Sequence, residues 1–199
     1  MTSIDFVRHG ETGAVDALHG RTDLPLSEAG RVAVRRMTGG LAWTAIVTSP
    51  LMRARETAAI LAAASRLSPE VDDAWREIDF GEWDGKPRRD LASDPRLAAF
   101  YADPDGHPPP GGEPMGDVRA RITAALRHLS ARQDGRIAVV THGGAIRMAL
   151  SILLAIPLAR LWAIRIAFAT RIRVEMGHDP EHGLWGEIVE IIQPPAARP

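Results

Sequence analysis

Phe6-Val7-Arg8-His9-Gly10-Glu11-Thr12 closes an apolar run on a histidine and a glycine, and part of the pattern returns far downstream as Val140-Thr141-His142-Gly143-Gly144. A histidine at the carboxyl end of a buried strand, followed by a residue that lets the backbone turn sharply, sits where open α/β sheets place their chemistry. The two histidines are therefore expected to meet in one crevice. Arg8, directly before the first of them, adds a fixed cationic fork for an oxyanion, which points toward phosphate.

The order of apolar patterns around these two segments reads as α/β. Ile4 to Val7 suits a central strand, and Gly30 to Leu41 follows as a helix with Ala33, Val34, Met37 and Leu41 on one face. A second strand at Ala45 to Val47 leads through Ser49, expected as an N-cap, and Pro50, expected at the first helical position, into a helix striped by Leu51, Ala54, Ala58 and Leu61. The stretch from Glu77 to Gly116 is rich in glycine, proline and aspartate, with a short helix expected near Arg88 to Tyr101. Long irregular segments in compact domains are usually functional or disordered, and residues 78–116 are read as a lid or insertion. Val118, Ile122, Ala125 and Leu129 mark a further helix, Ile137 to Val140 a strand, and Ala145 to Leu154 a helix that must end before Pro157. Alternation at Ile172, Val174 and Met176 and again from Ile188 to Ile192 predicts a closing hairpin with its turn at Gly177 to Gly183. Pro194 to Pro199 is expected to be disordered. The fold class that follows is a three-layer α/β/α sandwich with a mostly parallel central sheet and an inserted lid.

Composition narrows the function. A chain of 199 residues that is 45% hydrophobic can bury a full core, and without cysteine it has no disulfide, thiolate metal site or cysteine nucleophile. The formal net charge of −1 gives no general attraction to nucleic acid or anionic lipid, so an anion site must be local. The richest apolar stretch, Met148 to Ile166, is broken by Pro157, Arg160 and Arg165, so no membrane span is expected. The amino terminus enters a strand pattern at once, which predicts a cytoplasmic protein. The expected partner is a small-molecule phosphate ester rather than nucleic acid or membrane, and a homodimer is compatible with the sequence.

Placed on the α/β frame, Arg8, His9, Arg53 and His142 share one edge of the sheet, and the helix amino termini after Ser49 and Thr141 are expected to add backbone NH groups there. An imidazole beside Arg8 and Arg53 is disfavoured as a cation, so His9 is expected to be a neutral nucleophile that attacks phosphorus. The leaving alkoxide needs a proton, which Glu77, Asp79 or Glu82 could supply from the block Trp75 to Trp83. The other histidines, His107, His128, His178 and His182, lack a paired ligand pattern, and no metal or cofactor is expected. No glycine-rich phosphate loop with a lysine is present.

Four ordered stretches carry a family resemblance. They are the Arg8-His9-Gly10-Glu11-Thr12 segment, Thr48-Ser49-Pro50-Leu51-Met52-Arg53-Ala54-Arg55-Glu56-Thr57-Ala58, Arg76-Glu77-Ile78-Asp79-Phe80-Gly81-Glu82-Trp83, and Val140-Thr141-His142-Gly143-Gly144. Together they resemble the histidine phosphatase superfamily of phosphoglycerate-mutase-like proteins, over nearly the whole chain. The resemblance implies a single such domain over 1–199. It makes His9 the phosphorylated nucleophile, Arg8, Arg53 and His142 the phosphate pocket with His142 in a catalytic role, and Glu77 the general acid and base. Arg55 would be a surface residue. Val15 stands where many members carry an asparagine, and His19 and Gly20 are expected to compensate from the following loop, with Gly143 also binding substrate. The segments His19-Gly20-Arg21-Thr22-Asp23-Leu24-Pro25-Leu26-Ser27, Gly111-Gly112-Glu113 and Gly143-Gly144-Ala145-Ile146-Arg147 are most similar to the α-ribazole phosphatases of cobalamin synthesis. A metal-independent phosphomonoester hydrolase is thereby expected; the alternatives are a phosphoglycerate-type mutase and a catalytically silent phospholigand-binding protein.

Overall fold

Alternation along three short strands decides how the layers assemble. In the computed structural model, which describes residues 1–132 and 135–195 (Ala64 by its backbone alone), β1 (Thr2–Arg8), β2 (Ala45–Thr48) and β4 (Arg136–Thr141) form the buried centre of a six-stranded sheet. Ile4, Phe6, Ala45, Val47, Ile137 and Val139 face one apolar cluster, whereas Val7, Ile46, Ala138 and Val140 face the other, as the period of two requires. The first cluster is closed by α5 (Met115–Ser130) and α6 (Gly143–Leu154), the second by α1 (Glu28–Thr38) and α2 (Met52–Ser65). The result is a three-layer α/β/α sandwich.

The sheet order is β3-β2-β4-β1-β5-β6, with β3 at Glu70–Val71, β5 at Arg171–Asp179 and β6 at Gly183–Ile192. The pairs β1 with β4, β4 with β2 and β2 with β3 are parallel, and β5 alone runs against them, paired antiparallel with β1 on one side and with β6 on the other. The hairpin turn is tighter than Gly177 to Gly183. Both strands pair through Asp179 and Gly183, Trp185 packs over Gly177 where a Cβ would stand about 2.9 Å from its ring, and Asp179 Oδ1 accepts from the NH groups of Glu181 and His182. Part of the tail expected to be disordered, 196–199, lies outside the described residues.

Three helix starts differ from the expected ones, α6 beginning at Gly143 instead of Ala145. Ser27 caps α1 by accepting from Gly30 N at 3.0 Å, so the helix begins at Glu28 instead of Gly30. Ser49 does not cap α2: the helix starts at Met52, whose NH goes to Asp23 Oδ1 at 2.7 Å, and the Ser49 hydroxyl is committed elsewhere. The helix expected near Arg88 to Tyr101 is split into α3 (Arg88–Leu91) and α4 (Pro95–Ala102), because Pro95 has no NH to continue a helix and Asp94 caps a new one through Arg96 N at 2.9 Å. The stretch 78–116 sends Ile78, Phe80, Trp83, Leu91, Phe100 and Met115 into the same apolar cluster as α5 and α6. After α6, Ala155 takes a left-handed backbone with φ 53° and the chain turns into α7 (Leu158–Leu161). Among the described residues, no helix is long and apolar enough to cross a membrane.

Candidate active site

Strand register brings the key side chains together. Arg8 pairs with Thr141 and Thr48 with Val140 at the carboxyl edge of three parallel strands. One step further, His9 N donates to Thr141 O at 2.9 Å and Ser49 N to Val140 O at 3.0 Å, so His9, His142 and Ser49 become neighbours where the strands end. The rings of His9 and His142 lie with centroids 5.0 Å apart, and both side chains are buried. His9 and Arg8 line a cavity of about 490 Å³ together with Arg53, Glu77, His19 and Gly143.

Hydrogen bonding fixes what each ring can do. His9 Nδ1 lies 2.7 Å from Gly10 O, and a carbonyl only accepts, so Nδ1 carries the proton and Nε2 keeps its lone pair. His142 Nδ1 accepts from Arg53 Nε at 3.3 Å, and its Nε2 lies 2.7 Å from Ser49 Oγ. Burial holds His9 well below its usual value of 6.5, with Arg8 and Arg53 adding to the effect; burial does the same to His142, reinforced by Arg53 and His9. Both imidazoles are therefore neutral at pH 7. Burial also lowers Arg8 to about 10, opposed by Glu77, which leaves it a cation at neutral pH. Its NH1 donates to Ile166 O at 2.6 Å, its guanidinium lies 4.0 Å from the centroid of the Phe168 ring, and its buried Nε has no partner among the described residues. Phe168 also flanks His9, at 5.4 Å between centroids.

The depressed histidines make stability depend on pH. Above pH 6.5 both are neutral in the folded and the unfolded chain and add no pH dependence. Below it the unfolded chain takes up protons that the folded chain refuses, so stability falls with falling pH, by as much as ~1.4 kcal/mol per pH unit for each histidine. Denaturant midpoints are expected to drop between pH 7 and 5.5, and to drop less in His9→Gln. A midpoint that stays flat over that range contradicts the assignment.

Arg53 is more committed than a free phosphate clamp. Besides His142, it donates through NH1 to Thr22 O at 2.8 Å and through NH2 to His19 O at 3.0 Å and Gly20 O at 3.1 Å. Those carbonyls are held in turn by Asp84, which accepts from Gly20 N at 2.6 Å and from Thr22 N at 2.9 Å. Gly20 thus serves the pocket by supporting Arg53 and does not line the main cavity; a Cβ there would also clash with the backbone of Ile78. His19 does line it, with Nε2 at 3.2 Å from Ala14 O. Val15 lies exposed at the mouth.

Glu77 occupies the amino terminus of α6. Gly144 N donates to its Oε2 at 3.1 Å, while Ala145 N at 3.2 Å and Ile78 N at 3.0 Å donate to its Oε1. The approach requires Gly144, where a Cβ would overlap Glu77 Oε1. Both helix amino termini expected to offer NH groups to phosphate are therefore capped by carboxylates, Asp23 at α2 and Glu77 at α6. Gly143 remains on the cavity wall. Neither rival of Glu77 shares that wall: Asp79 pairs with Arg21 at 2.9 Å beside a second cavity, and Glu82 is exposed and pairs with Arg96 at 3.2 Å. Reading the sequence alone missed Asp84, Phe168 and the role of Ser49, since none of them lies in a periodic or spaced pattern that links it to the histidines.

A neutral imidazole with a free Nε2, fixed cations around it and a carboxylate on the same wall of an α/β sandwich are chemically suited to phosphoryl transfer. The chain belongs to the histidine phosphatase superfamily (branch 1), which it matches over residues 4–184. It is 34% identical over 161 residues to the bifunctional protein Rv2228c of Mycobacterium tuberculosis, a match covering 77% of this chain and 44% of that protein, so the chain spans less than half the length of this relative. It is 32% identical over 191 residues to the probable phosphoglycerate mutase GpmB of Klebsiella pneumoniae, covering 90% of this chain and 87% of that one. Among solved structures, the mycobacterial glucosyl-3-phosphoglycerate phosphatase Rv2419c superposes with a TM-score of 0.83 at 27% identity, over 94% of this chain and 97% of that one. The α-ribazole phosphatase of Shigella flexneri shares the fold, with a TM-score of 0.79 at 22% identity over 94% of both chains.

Proposed function

We propose that this protein hydrolyses phosphate monoesters through a phosphohistidine on His9. The observation that carries the reading is the His9 imidazole: its Nδ1–H is tied to Gly10 O, it is kept neutral by burial and by Arg8 and Arg53, and it lines the main cavity. Nε2 attacks phosphorus in line, the P–O bond to the ester oxygen breaks, and Glu77 gives that oxygen its proton. Glu77, now ionised, takes a proton from water, which attacks the phosphohistidine; the P–N bond breaks, phosphate leaves and His9 is restored. Arg8 and Arg53 stabilise charge on the transferring group, so no metal is required.

The first test is release of phosphate from p-nitrophenyl phosphate, with and without chelator. Equal rates are expected; activity that is lost to chelator and regained only with a divalent ion sinks the metal-independent mechanism. A mutase would instead interconvert phosphoglycerates when primed with a bisphosphate. For the physiological ester, the motif resemblance points to α-ribazole 5′-phosphate, to be run in a screen of phosphorylated metabolites. Arg53→Ala is expected to cost on the order of a hundredfold or more in turnover, since it removes a cation from the pocket and frees both His142 and the 19–22 loop. A near-normal rate would place Arg53 outside the chemistry.

A further inference from the structure

The main cavity holds more positive charge than one phosphoryl group needs. Among the described residues, five guanidiniums line it, those of Arg8, Arg53, Arg88, Arg147 and Arg165, against the single carboxyl group of Glu77. Even with Glu77 ionised, the surplus is twice what a phosphate dianion neutralises, and it is not evenly placed. Arg8 and Arg53 sit beside His9, while Arg147 is absorbed by the carbonyls of Gly143, Leu161 and Ile164 at 3.0, 3.1 and 2.9 Å. Arg88 and Arg165 are exposed on the cavity wall, and neither makes an ion pair with a carboxylate among the described residues.

Arg88 is held in place without being used up. Its NH donates to Asp16 O at 2.6 Å, the preceding Pro87 pairs with Ala17, and NH1 reaches Tyr101 Oη at 3.0 Å. It is close enough to Arg8 and Arg147 to lower both of their proton affinities, so its charge is felt inside the cavity. Trp162 stands on the same wall, packed edge-on to Tyr101 at 5.2 Å and 5.1 Å from the Arg147 guanidinium, and its buried indole Nε1–H has no partner among the described residues. An unpaired buried donor beside a cation suits an anionic oxygen.

We infer that the substrate is a phosphate monoester bearing a second anionic group, a carboxylate or another phosphate, which Arg88 and Arg165 receive at the mouth of the cavity while the ester phosphate sits against His9. This rests on the phosphatase reading for which end is cleaved, and it ranks α-ribazole 5′-phosphate, whose tail carries no second anion, below bis-anionic esters.

Binding is measured by titration calorimetry on the full chain carrying His9→Ala, so that turnover plays no part, using two matched pairs: 3-phosphoglycerate with sn-glycerol 3-phosphate, and fructose 1,6-bisphosphate with fructose 6-phosphate. At least tenfold tighter binding of the bis-anionic member is expected in one pair or both, and which pair separates tells carboxylate from phosphate. Arg88→Met and Arg165→Met should each narrow the gap several-fold, the double substitution should bring it close to one, and raising the salt should narrow it too. Equal affinities within both pairs, a gap that survives the double substitution, or α-ribazole 5′-phosphate binding as tightly as the bis-anionic esters would overturn the inference. Failure of the wild type to hydrolyse p-nitrophenyl phosphate would count against the hydrolase reading alone, because the binding comparison does not depend on it.

Discussion

His9→Ala is expected to bring turnover down by ten thousandfold or more and to abolish the acid-labile phosphoprotein that forms during it. The size of the loss follows from the absence of a substitute. Among the described residues, His142 is the only other imidazole in contact with the His9 ring, and both its nitrogens are engaged, Nδ1 by Arg53 and Nε2 by Ser49. His19 lines the cavity, but its Nε2 is tied to Ala14 O and its Nδ1 is buried. A carboxylate at Glu77 is a poor replacement, because backbone NH groups hold both its oxygens at the start of α6. Labelling with a radioactive phosphate ester, followed by acid and alkaline stability tests on the trapped protein, reads the intermediate directly. If the His9→Ala protein still takes up label, and the label maps to His142, the two histidines have exchanged roles.

Much of this site was legible in the sequence because strand ends and glycines are local signals. An apolar run followed by His-Gly places His9 and His142 at strand ends, and alternation with helices makes the strands parallel, which is enough to bring Arg8, His9, Arg53 and His142 to one edge. What stayed hidden was who bonds whom across loops. Ser49 has the residue type and position of a helix cap, and only the parallel register of β2 against β4 reveals that its hydroxyl meets His142 first. Free NH groups at the start of α6 were a sound expectation for a helix in isolation. The chain folds Glu77 onto them instead, an arrangement made by the packing of Ile78 and the missing side chain at Gly144 and not by any pattern within the helix. Asp84 illustrates the same limit. It acts on Arg53 through the backbone of 20–22, some thirty residues from Arg53, and no spacing rule connects the two.

Glu77→Gln is expected to slow phosphorylation of the enzyme by alkyl phosphates by about a hundredfold to ten thousandfold, the usual range for losing a proton donor, and to slow phosphorylation by p-nitrophenyl phosphate far less. Nitrophenolate leaves without help, whereas an alkoxide does not, so the difference between the two esters isolates the donor role from damage to the pocket. That control is needed here. Glu77 accepts three backbone hydrogen bonds, two on Oε1 and one on Oε2, and a glutamine amide would turn an NH2 group toward at least one of those NH donors. The side chain must then shift, and any loss from the shift falls on both esters alike. The pre-steady-state burst of nitrophenolate is the measurement to use, since the later attack of water also relies on Glu77 and its loss would slow steady turnover of every substrate. A fast burst followed by a nearly stalled steady state, with the phosphoprotein accumulating, is the expected signature of an enzyme that can load His9 but cannot unload it. Equal slowing of the burst for both esters would remove Glu77 from the donor role, and with Asp79 and Glu82 both off the wall of the main cavity the proton would have to come from the substrate or from water.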